Sequence, residues 1–140
     1  MALIAQYLID TSAAARMRHP DVSRRLRPLI ESGVVATTAS LDAEALYSAH
    51  GPAEYEQLRA DRRDAYEYLP TNDEHWQIAL GAQRALARTG RHRSVGMADL
   101  LTATIAAAHR LTVVHYDSDF DAAATVLRFK HRWVLPRGSV

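Results

Sequence analysis

The sequence predicts an α/β fold of three layers: a mostly parallel central sheet flanked by helices. Two observations carry that expectation. Leu3–Ile9 and Leu111–Tyr116 are nearly continuous apolar runs, as strands covered on both faces require, rather than the alternating runs of a half-exposed sheet. The stretches between strand candidates are long and helical in pattern, so they cross over the sheet instead of turning back as hairpins. At 140 residues the chain is read as a single domain, 1–140, large enough to bury roughly two-thirds of its unfolded surface.

The elements follow in order. The first strand ends at Asp10, and Thr11 or Ser12 can cap a helix through Ala13, Ala14 and Ala15. Pro20 breaks that helix. Val22, Leu26, Leu29 and Ile30 mark the face of a second piece that Pro28 should kink or shorten. Val34–Thr37 is a short strand, and Ser40–Ala49 a helix stopped by Gly51-Pro52. A charged helix follows, with Tyr55, Leu58, Ala65 and Leu69 on one face and Glu54, Glu56, Arg59, Arg63 and Asp64 on the other. Tyr66–Leu69 is either a short strand or a helix end. Asn72 caps a long helix with Trp76, Ala79, Leu80, Gln83 and Leu86 on one side, ending at Gly90. The Ala-rich Ala98–Arg110 is a further helix, and its small Thr102, Ala103 and Ala106 allow close approach to the sheet. A short helix is expected over Ala122–Leu127, decorated by Asp121, and a terminal or edge strand over Arg132–Leu135. Trp76 and Trp133 read as core anchors, and His115 as a core histidine with its hydrogen bonds met.

Composition narrows the function classes. There is no cysteine, hence no disulfide frame, thiolate nucleophile or Cys-based zinc site. Seventeen basic residues balance sixteen acidic ones, which argues against a protein that binds nucleic acid by bulk charge alone. All but Lys130 of the cations are Arg, a residue suited to bidentate phosphate contacts. No apolar stretch is long enough to span a membrane, and the first ten residues lack the pattern of a secretory leader, so a cytoplasmic protein is expected.

The chemistry should sit beyond the carboxyl ends of the strands, where ligands bind in open α/β sheets. Asp10 and Asp117 each follow a buried run. Asp99 opens the Ala-rich helix, and Glu44 lies on the helix after the Val34 strand. Four carboxylates meeting at one rim repel one another unless a cation neutralises them. Hard oxygen donors without His or Cys select Mg²⁺ or Mn²⁺, ions that activate water in phosphoryl displacement. A metal-dependent nuclease or phosphatase results. Arg91-His92-Arg93 is the best phosphate-contacting segment, with Arg24, Arg25 and Arg27 next. Asp117-Ser118-Asp119-Phe120-Asp121 fails as a calcium loop, because its sixth position is not Gly and its twelfth is Arg128. The remaining histidines show no ligand spacing. The competing class is a binding module such as a phospho-receiver, which also gathers acids at strand ends. It requires paired acids after the first strand and a Lys ending a late one, whereas here Thr11 and Ser12 follow Asp10.

Four blocks taken together resemble PIN-domain ribonucleases, and more narrowly the VapC toxins of bacterial toxin–antitoxin pairs. These are Leu8-Ile9-Asp10-Thr11-Ser12-Ala13, Asp42-Ala43-Glu44, Ala98-Asp99-Leu100-Leu101 with Ile105-Ala106-Ala107-Ala108, and Val114-His115-Tyr116-Asp117-Ser118-Asp119-Phe120. The resemblance spans almost the whole chain. It implies a PIN-like sandwich and a Mg²⁺- or Mn²⁺-dependent endoribonuclease cutting transfer or ribosomal RNA. Asp10, Glu44, Asp99 and Asp117 would form its acidic centre, Asp119 a further ligand or supporting acid, and Ser12 a polar support. It further implies a homodimer and a cognate VapB-type antitoxin that blocks the site and binds operator DNA. Tyr116 departs from the pattern, since relatives often place the His directly before the Asp. A PIN-type nuclease acting on DNA or another structured substrate is the nearest alternative.

Overall fold

Strand alternation sorts the core into two layers. In the computed structural model, which describes residues 3–140, five strands form one sheet: β1 (Tyr7–Ile9), β2 (Val35–Thr37), β3 (Glu67–Tyr68), β4 (Thr112–His115) and β5 (Lys130–Trp133). Their order is β3-β2-β1-β4-β5, and every neighbouring pair is parallel. Leu8, Ala36 and Val113 enter one apolar layer with Leu41, Ile105 and Ala106. Ile9, Val35 and Val114 enter the other with Val22, Leu26 and Val134. Successive residues of one strand thus face opposite layers, as the twofold repeat of a strand demands.

The crossovers are helical. α1 (Thr11–Ala14) and α2 (Pro20–Glu31) join β1 to β2; α3 (Ala39–Tyr47) and α4 (Pro52–Ala65) join β2 to β3. α5 (Asp73–Ala87) and α6 (Met97–His109) lead to β4, and α7 (Asp119–Ala123) precedes β5. From β1 the chain winds outward through β2 to β3, then returns to the other side of β1 with β4. The strand order therefore reverses between β1 and β4, where a crevice opens at the carboxyl edge. A phospho-receiver has the order 2-1-3-4-5, so this topology excludes that alternative.

α6 fixes the centre of the molecule. Leu100 through Ala106 are all buried, with Ala103 and Ala106 fully so. α5 packs on its outer side through Ala79, Ala82 and Leu86.

Several local expectations are corrected. Asp10 itself caps α1, its Oδ2 accepting the Ser12 N–H at 3.0 Å, in place of Thr11 or Ser12. Pro20 opens α2 instead of only breaking its predecessor, because the first helical position needs no N–H. α2 continues through Pro28 to Glu31. Strand β1 is shorter than Leu3–Ile9, and β5 begins two residues before Arg132. α7 starts at Asp119, so Asp119 and Asp121 both stand in its first turn. In α5 the buried face is His75, Ala79, Ala82 and Leu86. The cause lies at its start: Asn72 and His75 exchange cap hydrogen bonds at 3.1 Å each, turning His75 inward. Trp76 and Leu80 are thereby left 43% and 44% exposed, and Trp76 is not a core anchor. α4 buries none of its residues, Tyr55, Leu58 and Ala65 included.

Candidate active site

Asp10 is set at the carboxyl edge by backbone alone. Its N–H donates to the Val114 carbonyl at 2.9 Å, continuing the β1–β4 ladder, and its side chain caps α1. Only 4% of the residue is exposed. Burial pushes its carboxyl above the usual range, opposed by the Ser12 hydrogen bonds and helped by the charge of Asp117.

Ser12 ties the two strand ends together. Its Oγ accepts the Tyr116 N–H at 2.9 Å across 104 positions of sequence. Arg16 completes the clasp: Nη1 donates to the Ser12 carbonyl at 2.6 Å, and the guanidinium lies 4.4 Å from the Tyr116 ring centroid. Tyr116 thus serves as the anchor that holds the β4 exit against α1.

Asp99 reaches the same edge from the first turn of α6, where a carboxylate also complements the helix dipole. Asp99, Asp117 and Asp119 each offer a carboxylate oxygen within 4.8 Å of the others. Asp117 and Asp119 are further joined by the Asp119 N–H, which donates to Asp117 Oδ1 at 2.9 Å. Burial raises the Asp99 carboxyl to about 7, and the charges of Asp10, Asp117, Asp119 and Glu44 add to the push. Burial and Asp117 likewise hold Asp119 above its ordinary value. The structure therefore brings all five sequence-selected acids into one electrostatic neighbourhood. Glu44 is its outermost member, exposed on α3 beside Thr11 and Tyr47.

Among the described residues no Arg, Lys or His pairs with Asp10, Asp99, Asp117, Asp119 or Glu44. An all-oxygen donor set with uncompensated negative charge fits a hard divalent cation. Arg91 and Arg93 lie in the exposed loop before α6. Arg91 is engaged by Thr89 at 2.9 Å and Thr125 at 3.4 Å. Arg24 is spent on Asp21 at 2.9 Å.

Two groupings escaped sequence reasoning. His115 and His131 meet across β4 and β5, Nε2 to Nδ1 at 2.9 Å, although sixteen positions separate them. Asp42, Thr37 and Arg62 form a second cluster. Asp42 Oδ1 accepts from Thr37 Oγ1 at 2.7 Å and from Arg62 Nε at 2.9 Å, while Arg62 Nη2 reaches Thr37 Oγ1 at 3.0 Å. The histidine pair is created by the parallel register of β4 and β5, and the second cluster by α4 folding back to bring Arg62 to Asp42 and Thr37.

With this geometry in hand, comparison with known proteins is specific. Residues 7–126 match the PIN domain family model. Ribonuclease VapC21 of Mycobacterium tuberculosis is 40% identical over 98% of this chain and 99% of its own length. Ribonuclease VapC51 of the same organism is 39% identical over 96% and 97%. Among solved structures, VapBC2 from Rickettsia felis, bound to a DNA fragment from its promoter, superposes with a TM-score of 0.70. That match covers 91% of this chain and 97% of the other at 17% identity, a likeness of fold. The strand order, the acids at the β1–β4 crevice and these matches agree: the chain belongs to the PIN-domain family and, within it, to the VapC ribonucleases.

Proposed function

We propose that this chain is the toxin of a type II toxin–antitoxin pair, an endoribonuclease that hydrolyses phosphodiester bonds in cytoplasmic transfer or ribosomal RNA. The observation that carries the reading is geometric: half-buried Asp99 shares the carboxyl edge with Asp117 and Asp119, their carboxylate oxygens within 4.8 Å of one another, with no cationic partner among the described residues. Asp10, Glu44, Asp99 and Asp117 would hold Mg²⁺ or Mn²⁺, with Asp119 as a further ligand. When bound, such an ion lowers the pKa of water and neutralises charge on the phosphate.

The chain's own contribution is placement. Asp10 is immobilised by the Ser12 N–H, and the Ser12–Tyr116 hydrogen bond sets the spacing between β1 and the Asp117 loop. α6 delivers Asp99 on a helix whose next seven residues, Leu100 to Ala106, are all buried. Arg93, exposed in the loop before α6, contacts the RNA backbone, while Arg91 braces that loop. The reading extends to a VapB-type antitoxin as partner, a homodimer as working unit, and operator DNA bound through the antitoxin; VapBC2 from Rickettsia felis is a complex bound to a DNA fragment from its promoter. Among the described residues no helix is long and apolar enough to cross a membrane.

The test is cleavage of structured cellular RNA by purified protein with Mg²⁺ and with chelator. Asp10→Asn abolishes cleavage while circular dichroism and melting remain those of a folded chain. Undiminished RNA cleavage by the folded variant, or cutting of DNA alone, would overturn the reading.

A further inference from the structure

A groove of about 360 Å³ opens between α4 and the β2–β3 edge, lined by Thr37, Asp42, Arg59, Arg63, Tyr66 and Tyr68 together with Arg62 and Leu46. The groove lies on the other side of α3 from the acids: Asp42 and Leu46 face it, whereas Ala43, Glu44 and Tyr47 face Thr11. Thr37 ends β2 and Tyr68 ends β3, so the groove opens at the same carboxyl edge as Asp10.

Its wall is built from one face of α4. Arg59, Arg62 and Arg63 stand at spacings of three and four residues, which places them side by side, and Tyr66 follows as the extended residue that caps the helix. Arg62 is committed to Asp42 and Thr37, and its guanidinium lies 4.9 Å from the Tyr66 ring centroid. The ring contact holds Tyr66, and the Arg62–Asp42 ion pair offsets the charge of Asp42. Arg59 and Arg63 are exposed and make no ion pair among the described residues. Tyr68 is 56% exposed. The groove therefore carries two unspent guanidinium groups, the exposed Tyr68 ring and the half-buried edge of Tyr66, with its lone acid already neutralised. Free cations that follow a backbone, interleaved with rings that accept any base, are the means by which single strands are held.

We propose that this groove is a nucleotide subsite of the RNA substrate, with Arg59 and Arg63 on the phosphates and Tyr66 and Tyr68 against a base. The inference rests on the ribonuclease reading and adds where the strand runs. From the acidic centre it passes over α3, a distance of about one helix diameter, ~10 Å, and enters the groove. The volume suits one base and its sugar and falls in the range of small-ligand pockets.

The test is fluorescence anisotropy with a fluorescein-labelled ten-nucleotide single-stranded RNA of mixed sequence. It is run on the full chain carrying Asp99→Asn, with Mg²⁺, so that no cleavage intervenes. Adding Arg59→Ala and Arg63→Ala, both exposed and outside the core, weakens binding about tenfold or more. It also lowers the slope of log affinity against log salt by about 1.4, the value for two phosphate contacts on a single strand. The Arg59→Lys, Arg63→Lys pair keeps that slope. Tyr68→Ala weakens binding roughly tenfold with the slope unchanged.

RNA affinity and slope unaltered by the double alanine change, while the parent binds RNA and the wild type cleaves it, would overturn the subsite and leave the ribonuclease reading intact. A parent that binds no RNA, with a wild type that cleaves none, would overturn both. A change in sedimenting mass with unchanged RNA affinity would make this face an interface between copies and likewise overturn the subsite.

Discussion

The loop leaving β4 is flanked by two clusters of metal-ligating residue types, and they differ in how far the protein satisfies them. On one side stand Asp99, Asp117 and Asp119; on the other, His115, Asp121 and His131. The histidine cluster is closed on itself. His115 Nδ1 accepts the Asp117 N–H at 3.2 Å, which leaves the ring proton on Nε2, facing His131 Nδ1 at 2.9 Å. Phe120 stacks on the same ring at 4.8 Å, and Trp133 sits 5.2 Å away. No lone pair remains for a cation on His115, which is 0% exposed. The acid cluster has no such closure: its carboxylates are raised by burial and by one another. A cluster that completes its own hydrogen bonds is architecture, here a brace behind the Asp117 loop. A cluster left with unbalanced charge is the one that could hold an ion.

The contrast can be broken most sharply at Asp99. Asp99→Asn should reduce RNA cleavage about a thousandfold or more, since it removes charge from an oxygen proposed to hold the ion. The same change should stabilise the chelator-treated protein at neutral pH.

The sign follows from linkage. Asp99 has a folded pKa of about 7 against an ordinary 3.8, so the folded state holds its proton where the unfolded state has lost it. Stability is therefore full below pH 3.8 and falls as pH rises towards 7. At about 1.4 kcal/mol per unit the loss is on the order of 4 kcal/mol. His115 acts in the opposite sense. Burial and His131 lower its pKa from 6.5 to about 4, so its contribution is full above pH 6.5 and is lost as pH falls towards 4, by about 3 kcal/mol. Between pH 4 and 6.5 the two slopes oppose each other in the metal-free wild type. Urea denaturation across that window should show a shallow profile for the wild type and a clear acid-side fall for Asp99→Asn. Addition of Mn²⁺ should stabilise the wild type at pH 7 far more than the variant.

Smaller effects sharpen the brace. His131→Ala leaves the buried His115 Nε2–H without its acceptor and should cost about 2 kcal/mol of stability, measured by thermal melting, with ion binding retained. Ser12→Ala removes the acceptor of the Tyr116 N–H and should cost about 1 kcal/mol. Because it loosens the spacing of Asp10 and Asp117, cleavage should fall more than stability does.

Much of this was legible in the sequence because it was written locally. Continuous apolar runs marked β1 and β4, and an Asp following each run marked the carboxyl edge. The small face of Thr102, Ala103 and Ala106 announced a helix packed against the sheet. What stayed illegible depends on contacts between distant segments. The His115–His131 pair exists only because β5 lies parallel to β4 in the register Val113 to His131. The Arg62–Asp42–Thr37 cluster requires α4 to fold back over β2. Trp76 misled for a different reason: its apolar neighbours fit two overlapping helix faces, and the Asn72–His75 cap selects the one that excludes it.

The most direct test is anomalous diffraction at the manganese edge from crystals grown with Mn²⁺. The expected result is a peak among Asp10, Asp99 and Asp117, absent in Asp99→Asn crystals. Density at His115 and His131 with none among the aspartates would contradict the account.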